Sequence, residues 1–382
     1  MKSGVSQRQA KRLIVSSFLI VVALGCEKVQ KFTGQPQNSV PTTTPSAAPA
    51  AAPKVSQPIP MVKTPKPAPI DSAKFLADLN TKRSEQITDD DLKTLANLES
   101  GREQVTFLNL AGGGITAEGL QHLAKLPELT QLDLSSTNTD ERGFAALGDC
   151  PKLRKLTVKN VIRISPQGWG EISKLSQLEC LDVSGTRGLS KVDVANFRAL
   201  INLRELDLSS TAITDDVFKP LAEIERLEIL KIYGNGNLMG HGLQAFTRSK
   251  SRLRELHASG TPLGHSGLRH IKTISTLEFL DLSNSNLNDQ QFAELKGATN
   301  VVHLRIGGKN SLSNAGLQTV LTLSKLKILD LEGLLTINDQ GLGILSKKSG
   351  LQTLNAKKVP FTRQAIEKFQ KIQKNCEVLV SE

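Results

Sequence analysis

One spacing recurs eleven times in this chain. From Val105 the pattern L-x-x-L-x-L returns with its first position at Val105, Leu129, Leu153, Leu178, Leu203, Leu227, Leu253, Leu277, Val301, Leu326 and Leu351, at intervals of 24 to 26 residues. Self-similarity at such a period marks stacked supersecondary units, none of which can bury its apolar face alone. Within each unit the alternation places positions four and six on the buried side of a short strand and positions three, five and seven on the other side.

After each strand comes a turn, then a column of helix-capping residues: Thr116, Asp140, Ser165, Ser190, Thr214, Gly264, Asn288, Ser313, Asn338 and Thr362. Most have side-chain oxygens that accept from the open N–H groups of a first helical turn. Unit six breaks the column with Met239. Four and seven residues beyond the cap stand apolar pairs, from Leu120 and Leu123 to Ile366 and Phe369, a spacing that puts both on one helix face. The chain's one Trp, Trp169, falls in this column and is expected in the core. Strand followed by crossover helix predicts an α/β solenoid of about eleven units over 105–382. Residues 71–104 are expected to form a helical N-terminal cap and partial repeat, in which Ile87, Leu92, Leu95 and Leu98 echo half a unit. A last helix near 363–375 and a closing strand in Cys376–Val380 are expected at the other end.

Units such as Leu203-Arg-Glu-Leu-Asp-Leu-Ser-Ser-Thr-Ala-Ile213-Thr-Asp resemble the leucine-rich repeat superfamily. They are most similar to the ribonuclease-inhibitor-like and F-box-associated subtype, which also occurs in bacterial secreted proteins. The resemblance covers about 75–382. It implies a right-handed β/α horseshoe with a parallel sheet on the concave side and helices on the convex side. Thr137, Thr186, Thr211 and Thr261 stand where the family has Asn or Cys, and no F-box region accompanies the repeats. A ubiquitin-ligase-like adaptor is therefore the remotest of the roles the resemblance suggests.

The first 70 residues read differently. Lys2, Arg8, Lys11 and Arg12 precede an apolar run from Leu13 to Leu24. As a helix that run spans roughly 20 Å, short of a ~30 Å hydrocarbon core, and so reads as the apolar part of a secretory leader over 1–25. It ends Val22-Ala23-Leu24-Gly25-Cys26, which resembles the bacterial lipobox with its last apolar and small positions exchanged. The resemblance implies cleavage before Cys26 and lipid attachment to it. The alternative is an ordinary secretory leader cut near the same place. Between Pro36 and Pro69 lie ten prolines among Ala, Thr, Ser and Gln, a composition that cannot bury enough apolar surface to fold. Residues 26–70 are accordingly expected to be a disordered tether. Together these features predict an exported, membrane-anchored lipoprotein of the bacterial cell envelope, on its periplasmic or surface side.

The formal net charge of +11 is unevenly placed: residues 1–74 carry ten Lys/Arg against two Asp/Glu, leaving 38 basic and 35 acidic residues in 75–382. Aromatic residues make up 4%. Near-neutral repeats with few stacking platforms argue against a nucleic-acid partner. The six His form no H-x-x-x-H pair, and Gly264-His-Ser-Gly267 lacks the spacing of a nucleophile elbow. No catalytic residue, metal site or cofactor is assigned. Gly112-Gly-Gly114 and Gly234-Asn-Gly236 lie just after strands, where turns favour Gly.

Position five is Asp in five units (Asp133, Asp182, Asp207, Asp281 and Asp330), so Asp there is background, and departures from the chain's own consensus at positions three, five and seven carry more information. They gather in units six to nine: Ile229, Lys231 and Tyr233, then His257, then Phe279, then His303 and Arg305. Neighbouring strands stand ~4.8 Å apart, so these residues span about 15 Å of one face. Aromatic and cationic side chains on an exposed sheet resemble an interface centre. They are the candidate partner-binding residues of a non-catalytic protein-interaction module. The alternative is a structural envelope protein that holds peptidoglycan or another cell-wall polymer through its basic tether and the lysines near the C-terminus, Lys347, Lys348, Lys357, Lys358, Lys368, Lys371 and Lys374.

Overall fold

The computed structural model describes residues 70–381, apart from 162–163, 248–249 and 251. The leader, Cys26 and the Pro-rich stretch to 69 lie outside the described residues. Among the described residues, twelve three-residue strands hydrogen-bond in parallel, in strict chain order, from Phe107–Asn109 to Glu377–Leu379. Each pair keeps the register of the sequence repeat: Leu108 faces Leu132, Leu206 faces Leu230, and Leu329 faces Leu354. Between strands run short α-helical and 3-10 segments, so the chain folds as an α/β leucine-rich-repeat solenoid. The described residues all fall within one compact unit, and among them no helix is long and apolar enough to cross a membrane.

The core is one ladder of stacked side chains. Leu206, Leu230, Leu256, Leu280 and Leu304 are fully buried at position four, and the helix pairs close over them. Trp169 is buried, its ring 5.8 Å from that of Phe197 in the next unit. Ile366 alone in the helix columns is only partly buried, because its unit is the last. Helices at Ser72–Thr81 and Asp89–Ala96 precede the first strand and bury Leu79, Leu92 and Leu95. At the far end the helix runs Arg363–Ile372, shorter than expected, and the strand Glu377–Leu379 pairs with Thr353–Asn355.

The capping column is corrected in three places. Thr214 makes no cap bond; its hydroxyl donates to Asp216 Oδ1 instead. Gly264 is the first residue of its helix and offers no side chain. Ser313 Oγ accepts from Ala315 N in a tight turn rather than from a helix. In unit six, where Met239 cannot cap, Asp215 of the preceding unit accepts from the N–H groups of Met239, Gly240 and His241 at 2.9–3.0 Å. The same reach recurs: Asp89 accepts from Thr116 N, Asp289 from Ser313 N and Asp339 from Thr362 N, at 2.8–3.0 Å. Each carboxylate thus ties one unit to the next.

Every one of the eleven turns after a strand passes through a left-handed residue at position eight, with φ between 55° and 74°. The next position is polar and buried in units two, four, five, six, seven and eight. The Thr137, Thr186 and Thr211 hydroxyls donate to carbonyls within their own units. Asn235 bridges two units. Its Nδ2 donates to the Leu208 and Ile232 carbonyls, and its Oδ1 accepts from the N–H groups of Thr211 and Ala212. Replacing Asn235 with Ala strands these groups away from water, with an expected cost of about 2–4 kcal/mol. Asn235→Thr, which restores one donor, should recover part of it; urea denaturation of the two variants checks the order.

Candidate functional site

The strands alternate half-exposed, buried, half-exposed residues, so positions three and five line one open face of the sheet. The candidate residues occupy that face in consecutive units. In unit six (Ile229–Lys231) the Ile229 and Lys231 side chains are half-buried, and Tyr233, just past the strand, is 39% exposed. His257, Phe279 and His303 come from units seven, eight and nine. Their rings form a continuous row: His257 to Phe279 is 4.5 Å between centroids, and Phe279 to His303 is 4.7 Å with the rings nearly perpendicular. This arrangement follows from register, because Phe279 and His303 are direct neighbours across adjacent strands.

The two permanent cations are held laterally. Lys231 Nζ donates to Glu205 of unit five (Glu205–Asp207). Burial pulls the Lys231 ammonium down, but Glu205, Asp207 and Asp182 outweigh it and leave the group above its ordinary value. Arg305 sits between two carboxylates, with Nη1 3.2 Å from Asp281 Oδ2 and Nε 3.2 Å from Asp330 Oδ2. His257 Nε2 lies 3.2 Å from Glu255 Oε2, a contact that holds the Glu255 carboxyl below its usual range. Burial, reinforced by the nearby Arg305 charge, lowers the His303 imidazole, which is neutral at neutral pH.

The face is therefore acidic rather than cationic. Over units four to ten it carries seven carboxylates (Asp182, Glu205, Asp207, Glu255, Asp281, Asp330 and Glu332) against Lys231 and Arg305, bordered by Lys155 and Lys159 of unit three and by Lys358 of unit eleven, whose Nζ lies 3.4 Å from Glu332. The Asp column also has a structural task. Asp133, Asp182, Asp207, Asp281 and Asp330 each accept from the backbone N–H two residues on, at 2.8–2.9 Å, closing the turn after the strand. Asn109 and Asn355 do the same in units one and eleven. Asp182 and Asp207 face each other across adjacent strands. Burial, joined by the Asp182 charge, raises the Asp207 carboxyl, against the Ser209 N–H and Lys231. The Cys180 thiol beside them is pushed up to about 11 by burial and by Glu205, which keeps it protonated and unreactive. Among the described residues no group of three or more His, Cys, Asp or Glu is placed to hold a metal ion.

Neither a scan against family models nor a search of curated proteins finds a match. Among solved structures, the chain is similar to one in the Rad7 and Elc1 complex of yeast, with TM-score 0.50, 20% identity, and coverage of 74% of this chain and 76% of that one. It is also similar to an internalin, inlF, from Listeria monocytogenes, with TM-score 0.47, 17% identity, and coverage of 81% and 94%. A second internalin of that organism, inlC2, matches with TM-score 0.40, 20% identity, and coverage of 64% and 91%. At such identities the likeness to the yeast chain speaks for the leucine-rich-repeat fold and nothing finer.

The raised Asp207 carboxyl has a measurable consequence. A folded-state value above the unfolded one means that the ionised form disfavours folding, so the penalty exists at neutral pH and disappears once both states are protonated. Asp207→Asn keeps the turn acceptor and removes the charge. Its melting temperature should exceed that of the parent at pH 7, and the difference should fade near pH 3.

Proposed function

We propose that the chain is a non-catalytic protein-interaction module that binds a partner through the open sheet face of units six to nine, held at a bacterial envelope membrane by lipid on Cys26. The observation that carries the binding reading is the row of rings His257, Phe279 and His303, with the exposed Tyr233 just past the strand before it, on a face whose backbone is fixed by the sheet ladder. Side chains presented by a preformed sheet lose little conformational freedom on binding, which favours a docking role. The thiols of Cys150, Cys180 and Cys376 all stand at about 11, which favours binding over thiol chemistry. The anchor rests on the basic leader and the lipobox-like residues before Cys26.

The polymer-binding alternative leans on the C-terminal lysines. One of them, Lys348, is buried, with Nζ 3.0 Å from the Ser349 carbonyl, and so cannot contribute to such a surface. The acidic sheet face also repels an anionic polymer.

The binding reading is tested by placing a photo-cross-linking amino acid at Tyr233 in cells and, separately, at Val192, which is 69% exposed on the helical side. A protein adduct from position 233 and none from 192 is expected; adducts only from 192 would move the binding face. Cys26→Ser is expected to shift the protein from the membrane fraction to the soluble one. Retention in the membrane fraction would refute the lipid anchor.

A further inference from the structure

We propose that the sheet face of units four to ten receives an extended, cationic polypeptide segment, a deepening that rests on the interaction-module reading above. The first support is charge. Neighbouring columns bring seven carboxylates together with Lys231 and Arg305, and both cations already lean on carboxylates of this chain. Asp182 and Asp207 are direct neighbours, and Lys231, the nearest cation in register, is bonded to Glu205 instead. Like charges facing each other across one strand spacing repel, and an added cation above them removes that repulsion.

The second support is independent of charge. Ser184, two residues past Asp182, is 3% exposed, and its hydroxyl has no hydrogen-bond partner. In unit two the equivalent Ser135 hydroxyl donates to Asp133 Oδ1. The Ser184 hydroxyl therefore does not pair with Asp182 as Ser135 pairs with Asp133, which leaves that carboxylate without a serine hydroxyl donor and open to one from a ligand. The third is the aromatic row, whose Phe279 ring offers a surface for the aliphatic stem and charge of a Lys or Arg.

Geometry sets the form of the ligand. Six strand spacings of ~4.8 Å separate unit four from unit ten, roughly 29 Å. An extended chain rising ~3.3 Å per residue covers that distance in about nine residues. Anionic polymers are disfavoured by the same charges that attract a basic segment.

The experiment uses the full-length protein and two fluorescein-labelled peptides, one of three Lys-Ser-Pro repeats and one of three Glu-Ser-Pro repeats, followed by anisotropy at low and raised salt. The Lys peptide is expected to bind, more weakly as salt screens the face, and the Glu peptide is not. The double variant Asp182→Asn, Asp207→Asn should lose at least tenfold in affinity for the Lys peptide. Asn keeps both turns, as Asn109 and Asn355 do in their own units, and thermal melts verify that the variant is folded. A charge-matched control, Glu118→Gln with Glu223→Gln on the helical side, should bind as the parent does. Unchanged affinity in the Asn variant, equal loss in the control, or binding of the Glu peptide would each overturn the proposal. If position 233 still cross-links a protein while the Asn variant binds unchanged, the cationic segment is refuted and the interaction-module reading survives. Absence of both signals refutes the two together.

Discussion

Everything in this structure depends on a burial constraint: a unit of 24 to 26 residues cannot cover its own leucines. Leu206, Leu230 and Leu256 reach zero exposure only because the units before and after them supply the walls. That requirement fixes the strand register, since a one-residue slip would turn position four outward and expose the whole ladder. It also fixes what is left for function. Positions four and six are committed to the core, the helix pairs to the roof above it, and only the alternate positions on the strands remain open in a continuous row.

Stacking also governs how the polar groups are satisfied. The turns carry buried N–H and carbonyl groups that no single unit can pair. Asn235 serves two units at once, and Asn310 repeats the pattern with the Leu282 and Ile306 carbonyls and the N–H groups of Ser285 and Leu287. Asp215, Asp289 and Asp339 reach forward to the next unit in the same way. Hydrophobic stacking and polar stapling therefore share a direction, along the solenoid, so that neighbouring units stabilise one another rather than themselves. A face built on such a ladder is stiff, and its side chains sit at strand spacing whatever their chemistry.

The period and the alternation made the fold legible in the sequence, because both are properties of a single unit repeated. The buried columns followed directly, Trp169 included. Less of the candidate face was legible. Its residues stood out as departures from the chain's own consensus, but their charges were read one at a time. Lys231 and Arg305 look like free cations along the chain and are paired sideways, with partners 24 to 26 residues away. Arg204 with Glu228 and Arg254 with Glu278 pair by the same rule. The signal was present in the repeat register, which sets residue n beside its counterpart in the next unit. At unit six, where the sequence offers no capping side chain, the acceptor for Met239 comes from another unit, which reading one helix at a time does not reach, whereas the Thr214 hydroxyl is drawn to Asp216 in its own unit.

The turn after each strand links these points. It needs a left-handed residue at position eight, and two devices help to hold it: an Asp or Asn at position five that accepts the N–H two residues on, or a glycine at position eight, free of the steric cost. Where position eight is Ser136, Ser210 or Lys358, all left-handed, position five keeps Asp133, Asp207 or Asn355. Units six, seven and nine carry Lys231, His257 and Arg305 at position five, and each has glycine at position eight, Gly234, Gly260 and Gly308. Unit three, with Thr157, has Asn160, the residue that tolerates this conformation best after glycine. The glycines thus release position five from its structural duty, and the released positions supply Lys231, His257 and Arg305 to the face. Variation on this surface is permitted by the backbone beneath it, so the residues that mark a candidate binding face and those that make it possible lie three apart in the same strand and turn.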